Sequence, residues 1–332
     1  MIIYAVVIII ELTGIATENS TQSFDISAAL VFLNMTRGKT YHTDEEINRL
    51  ILTPKIARGD SARLGDVPYQ VAIKSPLPDD KKVYYAFCGG SIITPRTVVS
   101  AAHCFIPKHE SVLASCLGRI DKDLTKSSFA VAGQLENFSK FSGGDSATQG
   151  QWRRIADVHF METYKFPKDD ISVLSVRVPF NFNQFVKPIS IAHVPTEYGG
   201  LQCLASGFGK TSRHQRSAQL RKAVIEILPM RTCDKLFNFD TEKMVCTTDR
   251  IADVLEGDSG GPLVCTNTGD TVNKDQAILV GVVSGGIPGK GSLFSRVTAY
   301  RKFIERGATY KTKVNNAAIV STIVILQILF PK

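Results

Sequence analysis

Glu256-Gly257-Asp258-Ser259-Gly260-Gly261-Pro262-Leu263-Val264 is the stretch from which the rest of the chain is read. A nucleophilic serine needs its Oγ exposed on a tight turn, with backbone N–H groups free to hold an oxyanion. Glycines on both sides of Ser259 permit that backbone. The string also fits G-x-S-x-G, the nucleophile elbow of α/β-hydrolases, whose acid and histidine follow the serine in the chain. Here the histidines stand at 42, 103, 109, 159, 193 and 214, and none follows Ser259. Chain order therefore excludes an α/β-hydrolase esterase.

The general base must come from upstream. His103 lies in Val98-Val99-Ser100-Ala101-Ala102-His103-Cys104, and Cys88 and Cys104 flank a strand-like run that presents it. The carboxylate that fixes the imidazole tautomer should open a buried strand. Asp170, before Ile171-Ser172-Val173-Leu174-Ser175-Val176, meets that description, and so does its neighbour Asp169. The residues alone leave the two open.

Around these segments the chain has the texture of an all-β protein. From about residue 56 it shows short Val- and Ile-rich runs broken by turn residues: Tyr69 to Ile73, Ile171 to Val176, Ala277 to Val283 and Leu293 to Val297. Such runs with few helical periods point to a sandwich or barrel. A helix is expected over Val297 to Arg306. Phe105 to Ser128, which holds Cys116, and Glu136 to Gln151 read as inserted loops. The 332 residues carry a formal charge of +8, but Lys and Arg are spread along the chain and no reading module accompanies them, which argues against nucleic-acid binding. No C-x-x-C pair suggests zinc or a redox centre, and neither metal nor cofactor is expected.

The segments around His103, Asp170 and Ser259, in that order, closely resemble the chymotrypsin/trypsin family of serine proteases, over about residues 56 to 306. The resemblance implies two antiparallel Greek-key β-barrels with a C-terminal helix, and a serine endopeptidase working through an acyl-enzyme. It selects Asp170, whose Asp-Ile-x-x-Leu context matches the family's buried carboxylate. Ser259 is then the nucleophile, His103 the general base and acid, and Asp170 the group that orients it. The N–H groups of Gly257 and Ser259 form the oxyanion hole. A non-catalytic homologue is the rival reading, and the complete triad argues against it.

The same resemblance organises the remainder. Lys55-Ile56-Ala57-Arg58-Gly59 looks like an activation junction: cleavage after Lys55 frees the Ile56 amine, which pairs with Asp258 and orders the oxyanion hole and specificity pocket. Residues 17–55 are then a propeptide with no cysteine to tether it. Arg58-Gly59-Asp60 is read as a chance tripeptide. Disulfides are implied for Cys88–Cys104, Cys203–Cys265 and Cys233–Cys246. Cys116 is left over, either as a buried free thiol or as a link to another chain. Asp253, six residues before Ser259, would select Lys or Arg at the base of the S1 pocket, with Ser284 and Gly286 lining it. The sequence departs from the family at Leu255, where a cysteine is usual, and at Gly285, where a tryptophan is.

Residues 1–16 read as a signal peptide. Seven cysteines and the sequons at Asn19, Asn34 and Asn137 fit a secreted glycoprotein. Residues 56–308 form the catalytic domain and 309–332 a hydrophobic tail. Within the tail, Ala317 to Phe330 as a helix spans about 21 Å, short of a hydrocarbon core of roughly 30 Å. The two readings left are a GPI-attachment signal and a helix docked on the protein or a membrane surface. The expected partners are a protein or peptide substrate, an activating protease and a protein inhibitor, with no nucleic acid.

Overall fold

A computed structural model describes residues 59–106, 120–146, 149–210, 216–238, 241–248, 254, 256–274, 276–287 and 290–308. The signal peptide, the propeptide, Lys55, Ile56, Cys116, Asp253, Asn19, Asn34 and the tail lie outside them. The first half of the described chain contains β1 (Asp60–Ser61), β2 (Gln70–Pro76), β3 (Val83–Thr94), β4 (Thr97–Ser100), β5 (Phe129–Ala132), β6 (Phe138–Lys140), β7 (Gln151–Phe160) and β8 (Ser172–Val176). The second half contains β9 (Ser190–Ile191), β10 (Gln202–Gly207), β11 (Arg221–Glu226), β12 (Met244–Cys246), β13 (Pro262–Cys265), β14 (Ile278–Ile287) and β15 (Gly291–Arg296).

Strands β2-β5-β7-β8-β4-β3 pair in that order, and β3 returns to β2, so six strands close into a barrel with β6 appended to β3. Closure removes the free edges that an open sheet would expose. Val71, Ile73, Ile92, Val98, Ile155 and Leu174 fill its interior, as branched residues do at inward positions of a small barrel. The second sheet runs β1-β11-β10-β13-β14-β15-β12. An Ile227–Thr247 bridge and the Leu228 N–H bonded to the Cys246 carbonyl at 2.9 Å bring the end of β12 back to the end of β11. The fold is the expected all-β two-barrel type.

Helices are short. α1 (Lys122–Ser127) lies inside the first stretch read as a loop, capped by the Asp121 carboxylate, which accepts from the Leu124 N–H at 2.7 Å. A six-residue helix is too short for a hydrophobic period to announce it. α2 (Met230–Phe237) ends at Asn238 in the left-handed conformation. α3 spans 297–308 and follows β15 directly, close to the expected boundary. No helix among the described residues is long and apolar enough to cross a membrane. The second stretch read as a loop contains β6, which pairs Tyr85 with Phe138 and Val83 with Lys140. Disulfides join Cys88 to Cys104, Cys203 to Cys265 and Cys233 to Cys246, the last fastening α2 to β12.

Asn137 corrects an expectation. Its side chain is fully buried. Its Oδ1 accepts from the Ala86 N–H at 3.0 Å, and its Nδ2 donates to the carbonyls of Phe208 and Ser217 at 3.1 and 2.7 Å. A glycan on Nδ2 would replace one of these two N–H donors and would have no room in the interior. The sequon at Asn137 is therefore a structural tie and not a glycosylation site of the folded protein.

Lys74 is the other unexpected interior group. On β2 it is fully buried, and its Nζ donates to Gln134 Oε1 at 2.6 Å, the Glu136 carbonyl at 2.7 Å and Ser139 Oγ at 2.7 Å. Burial pushes its ammonium down to about 7, with the Glu136 charge opposing. The Ser139 hydroxyl can reverse and donate to a neutral amine, so the network holds either form. The unfolded lysine keeps its proton to a higher pH, so this group adds stability as pH rises from about 7 towards 10.5. Urea unfolding of wild type and Lys74→Met at several pH values should show wild type gaining on the variant across that window. Parallel curves would refute the titration.

Candidate functional site

The segment 256–260 is held between the two barrels by its backbone. On one side the Gly89 N–H of β3 donates to the Ser259 carbonyl at 2.7 Å; on the other the Gly260 N–H donates to the Val283 carbonyl of β14 at 2.7 Å. Gly260 has φ +77°, and a Cβ there would fall 2.2 Å from Ser100 Oγ and 2.6 Å from the Gly89 carbonyl. Only glycine satisfies both the backbone angle and the close approach. Gly257 also has φ +101°. The result is a sharp turn with Ser259 partly exposed at its head. Among the described residues, none accepts a hydrogen bond from the N–H of Gly257 or Ser259.

His103 opens a 3₁₀ turn (His103–Phe105) after β4, stapled by the Cys88–Cys104 disulfide. Its Nδ1 lies 2.8 Å from Asp170 Oδ2, and its backbone N–H donates to Asp170 Oδ1 at 3.0 Å. The carboxylate thus grips both ring and backbone of one residue, which fixes the position and rotation of the imidazole. The His103 side chain is 24 % exposed and that of Asp170 0 %. A buried carboxylate is tolerable only with its lone pairs occupied. Ser284 Oγ supplies a further donor at 2.6 Å, while Ser295 Oγ donates to the Asp170 carbonyl at 2.6 Å. Burial and the charge of Asp170 both push the nearby Tyr164 phenol up.

Asp169, the rival in the sequence, is buried elsewhere. Its carboxylate accepts from Thr163 Oγ1 at 2.7 Å and Tyr300 OH at 3.0 Å, and pairs with Lys243 at 3.2 Å. Burial works to raise it, but the bonds from Thr163, Lys243 and Tyr300 outweigh that and hold it below the usual carboxylate range. Asp169 sits in a turn with φ +56°, outside the extended run that begins at Ser172, and its carboxylate leaves the chain towards Tyr300 and Lys243 instead of His103.

Asp258 is fully buried, and its Oδ1 accepts from the Gly209 N–H at 2.8 Å. Gly207 and Gly209 pack against it so closely that a Cβ on either would sit 2.1 and 2.3 Å from a carboxylate oxygen. The Cys203-to-Gly209 segment is therefore shaped around this acid. The hydroxyl of Ser284, a residue expected to line the substrate pocket, donates to Asp170 Oδ2 at 2.6 Å. Gly286 is exposed on β14, and Asp253 is not among the described residues. Cys88, His103 and Cys104 converge within 4.8 Å, yet both sulfurs are consumed by their disulfide and cannot act as thiolate ligands.

Phe166 escaped the sequence reading. A Cβ on Gly285 would lie 2.9 Å from its Cζ, and its ring meets His103 edge-on at 5.8 Å between centroids. Phe166, from the loop before Asp170, thus occupies space that a side chain at 285 would need. The one available signal was that glycine, which leaves a hole a neighbour can fill.

A family model described as Trypsin matches residues 56–304. Among curated proteins, an ovochymase of Halocynthia roretzi is 28 % identical over 285 residues, covering 82 % of this chain and 17 % of its own. Transmembrane protease serine 9 of Rattus norvegicus is 26 % identical over 260 residues, covering 75 % of this chain and 22 % of its own. The chain spans about a fifth of the length of these relatives.

Proposed function

The chain belongs to the trypsin family, and from that premise we propose that it is a serine endopeptidase that cleaves peptide bonds through an acyl-enzyme on Ser259. The observation that carries this reading is the fully buried Asp170 carboxylate bonded to His103 Nδ1 at 2.8 Å. That bond holds the proton on Nδ1 and leaves Nε2 as the base. Ser259 Oγ attacks the scissile carbonyl carbon while Nε2 takes its proton. The carbonyl oxygen gains negative charge and is received by the N–H groups of Gly257 and Ser259. The tetrahedral intermediate collapses, the C–N bond breaks, and the imidazolium gives its proton to the leaving amine. Water, deprotonated by the same Nε2, then releases the acid.

The finer reading follows the residues already named. The enzyme is made as a zymogen and cleaved after Lys55, and the Ile56 ammonium enters the pocket of Asp258. A carboxylate as buried as Asp258 would bind an incoming ammonium through a charge-assisted hydrogen bond, which is strong away from water. Asp253 sets a preference for Lys or Arg before the scissile bond. Residues 1–16 direct secretion, 17–55 are removed, 56–308 are the protease, and 309–332 attach it through a GPI signal or a surface helix. Its partners are an activating protease, a protein substrate and a protein inhibitor.

The test uses protein with Ile56 verified as its N-terminus, beside Ser259→Ala, on peptide amides that differ only in the residue before the scissile bond. Turnover that depends on Ser259 and favours Lys or Arg is expected. Another preference would remove the role of Asp253. No turnover, with no labelling by a serine-reactive phosphonate, would remove the enzyme and favour a binding homologue.

A further inference from the structure

Five cations gather at the end of the first barrel that lies away from the triad. The Val176 N–H donates to the Arg96 carbonyl at 3.0 Å, and the Arg177 N–H to the Arg154 carbonyl at 2.9 Å. Arg154 on β7, Arg177 just after β8 and Arg96 just before β4 therefore stand on three neighbouring strands, whose backbones run about 5 Å apart. Arg96 Nη1 donates to the Arg177 carbonyl at 2.6 Å. Arg154 lies over the Phe129 ring of β5 at 4.5 Å, and its Nη1 donates to the Lys126 carbonyl at 3.1 Å. That bond carries the row on to Lys122 and Lys126 of α1. All five residues are exposed. The acids on the same elements are Asp121, which caps α1, Asp123 in its first turn, and Asp157 of β7, which pairs with His159 at 3.2 Å. Among the described residues, no carboxylate forms an ion pair with any of the five cations.

The barrel does not need this arrangement. Arg154 and Arg177 continue the β7–β8 register in which Ile155 faces Val176, so like charges stand directly opposite each other, which destabilises a sheet. An anion laid across them would offset that repulsion. One nitrogen of Arg96 and one of Arg154 are held by carbonyls. Their remaining donors are left for an oxyanion, and less freedom is lost when one binds. We propose that this row is a docking surface for a linear sulfated polysaccharide. The cations form a narrow line stepped at the strand spacing, which a chain of sulfates can follow, each sulfate accepting charge-assisted bonds from a guanidinium. A protein partner would want an aromatic anchor at the centre of the face, but the central ring, Phe129, is buried beneath Arg154. Three disulfides suit an oxidising extracellular setting, where sulfated polysaccharides are the abundant linear polyanions. His103 follows the far end of β4, and Asp170 precedes the far end of β8. The length of β8, about 14 Å, therefore separates the row from the triad, so a bound polymer holds the protein while leaving Ser259 open.

Surface plasmon resonance of the full chain on immobilised heparin, at a series of NaCl concentrations, tests this. Wild type is expected to bind at about 0.15 M NaCl, with log affinity falling linearly against log salt as counterions leave the polymer. Arg96→Gln/Arg154→Gln/Arg177→Gln should weaken the apparent Kd roughly tenfold and lower the salt slope by about 1 per arginine removed. Arg177→Gln alone leaves Arg154 on Phe129 and should give about a third of that change in slope, so the test survives if the triple variant folds poorly. Lys81→Gln/Lys82→Gln/Lys274→Gln removes the same charge from exposed positions elsewhere and should bind almost as wild type does. Desulfated heparin and poly-glutamate should not compete. Equal losses in the two triple variants would reduce the effect to net charge and overturn the row. Competition by poly-glutamate as strong as by heparin would assign the face to an acidic protein segment and overturn the polysaccharide. No binding by wild type at about 0.15 M NaCl would overturn the proposal outright. The readout is binding and not turnover, so failure here leaves the protease reading untouched.

Discussion

Asp170→Asn lowers kcat by about 10⁴-fold with the fold retained. The size follows from the two-point grip on His103. The His103 backbone N–H donates to Oδ1, so the asparagine must place its carbonyl oxygen there and its NH₂ at the Oδ2 position. That NH₂ then faces His103 Nδ1, which can no longer donate and must accept. The imidazole proton moves to Nε2, and the ring cannot take a proton from Ser259. The Ser284 hydroxyl, now bonded to Oδ2, rotates to accept from the same NH₂, so no buried group is left unpaired. The effect should therefore appear in kcat with near-UV circular dichroism unchanged. A variant that keeps kcat within tenfold of wild type would show that Asp170 does not set the tautomer.

Gly209→Ala is expected to lower kcat by roughly 10²–10³-fold, although residue 209 touches no substrate. A Cβ there would stand 2.3 Å from Asp258 Oδ2 and 2.5 Å from its Cγ. The clash falls on a buried side chain that cannot swing away. Relief must come from the backbone at 257–259, which carries both N–H groups assigned to the oxyanion. Overpacking of this kind costs about 1–3 kcal/mol of stability, so the variant should still fold. Gly143→Ala is the control, because a Cβ at Gly143 meets nothing within 4 Å. Comparing kcat and thermal midpoints of the two variants decides the matter. Wild-type kcat for Gly209→Ala would separate Asp258 from the oxyanion hole.

Much of the architecture was legible because it is written in local pattern. The Val- and Ile-rich runs at 69–73, 171–176, 277–283 and 293–297 fall on or within a residue or so of β2, β8, β14 and β15, and the glycines around Ser259 mark a turn that the φ angles of Gly257 and Gly260 require. The short elements were not legible. α1 and β6 are too brief to carry a period, and each is held by its neighbours: α1 by its Asp121 cap and β6 by pairing with β3. Asn137 misled for a related reason. A three-residue sequon says nothing about depth, and depth there is set by contacts with Phe208 and Ser217, some seventy and eighty positions away.

By itself the sequence determined the class of the fold, the order of His103 before Ser259 and the residues able to do nucleophilic chemistry, since these depend on residue type, spacing and chain direction. From the residues alone, Asp169 and Asp170 were equivalent, and Lys74 and Phe166 carried no mark. Tertiary structure separated them. It buried Asp170 against His103, sent Asp169 to Tyr300 and Lys243, and laid Phe166 over Gly285. The physical reason is range. Turn geometry and hydrophobic alternation act over a few residues, whereas burial and hydrogen-bond pairing are decided by segments far apart in the chain.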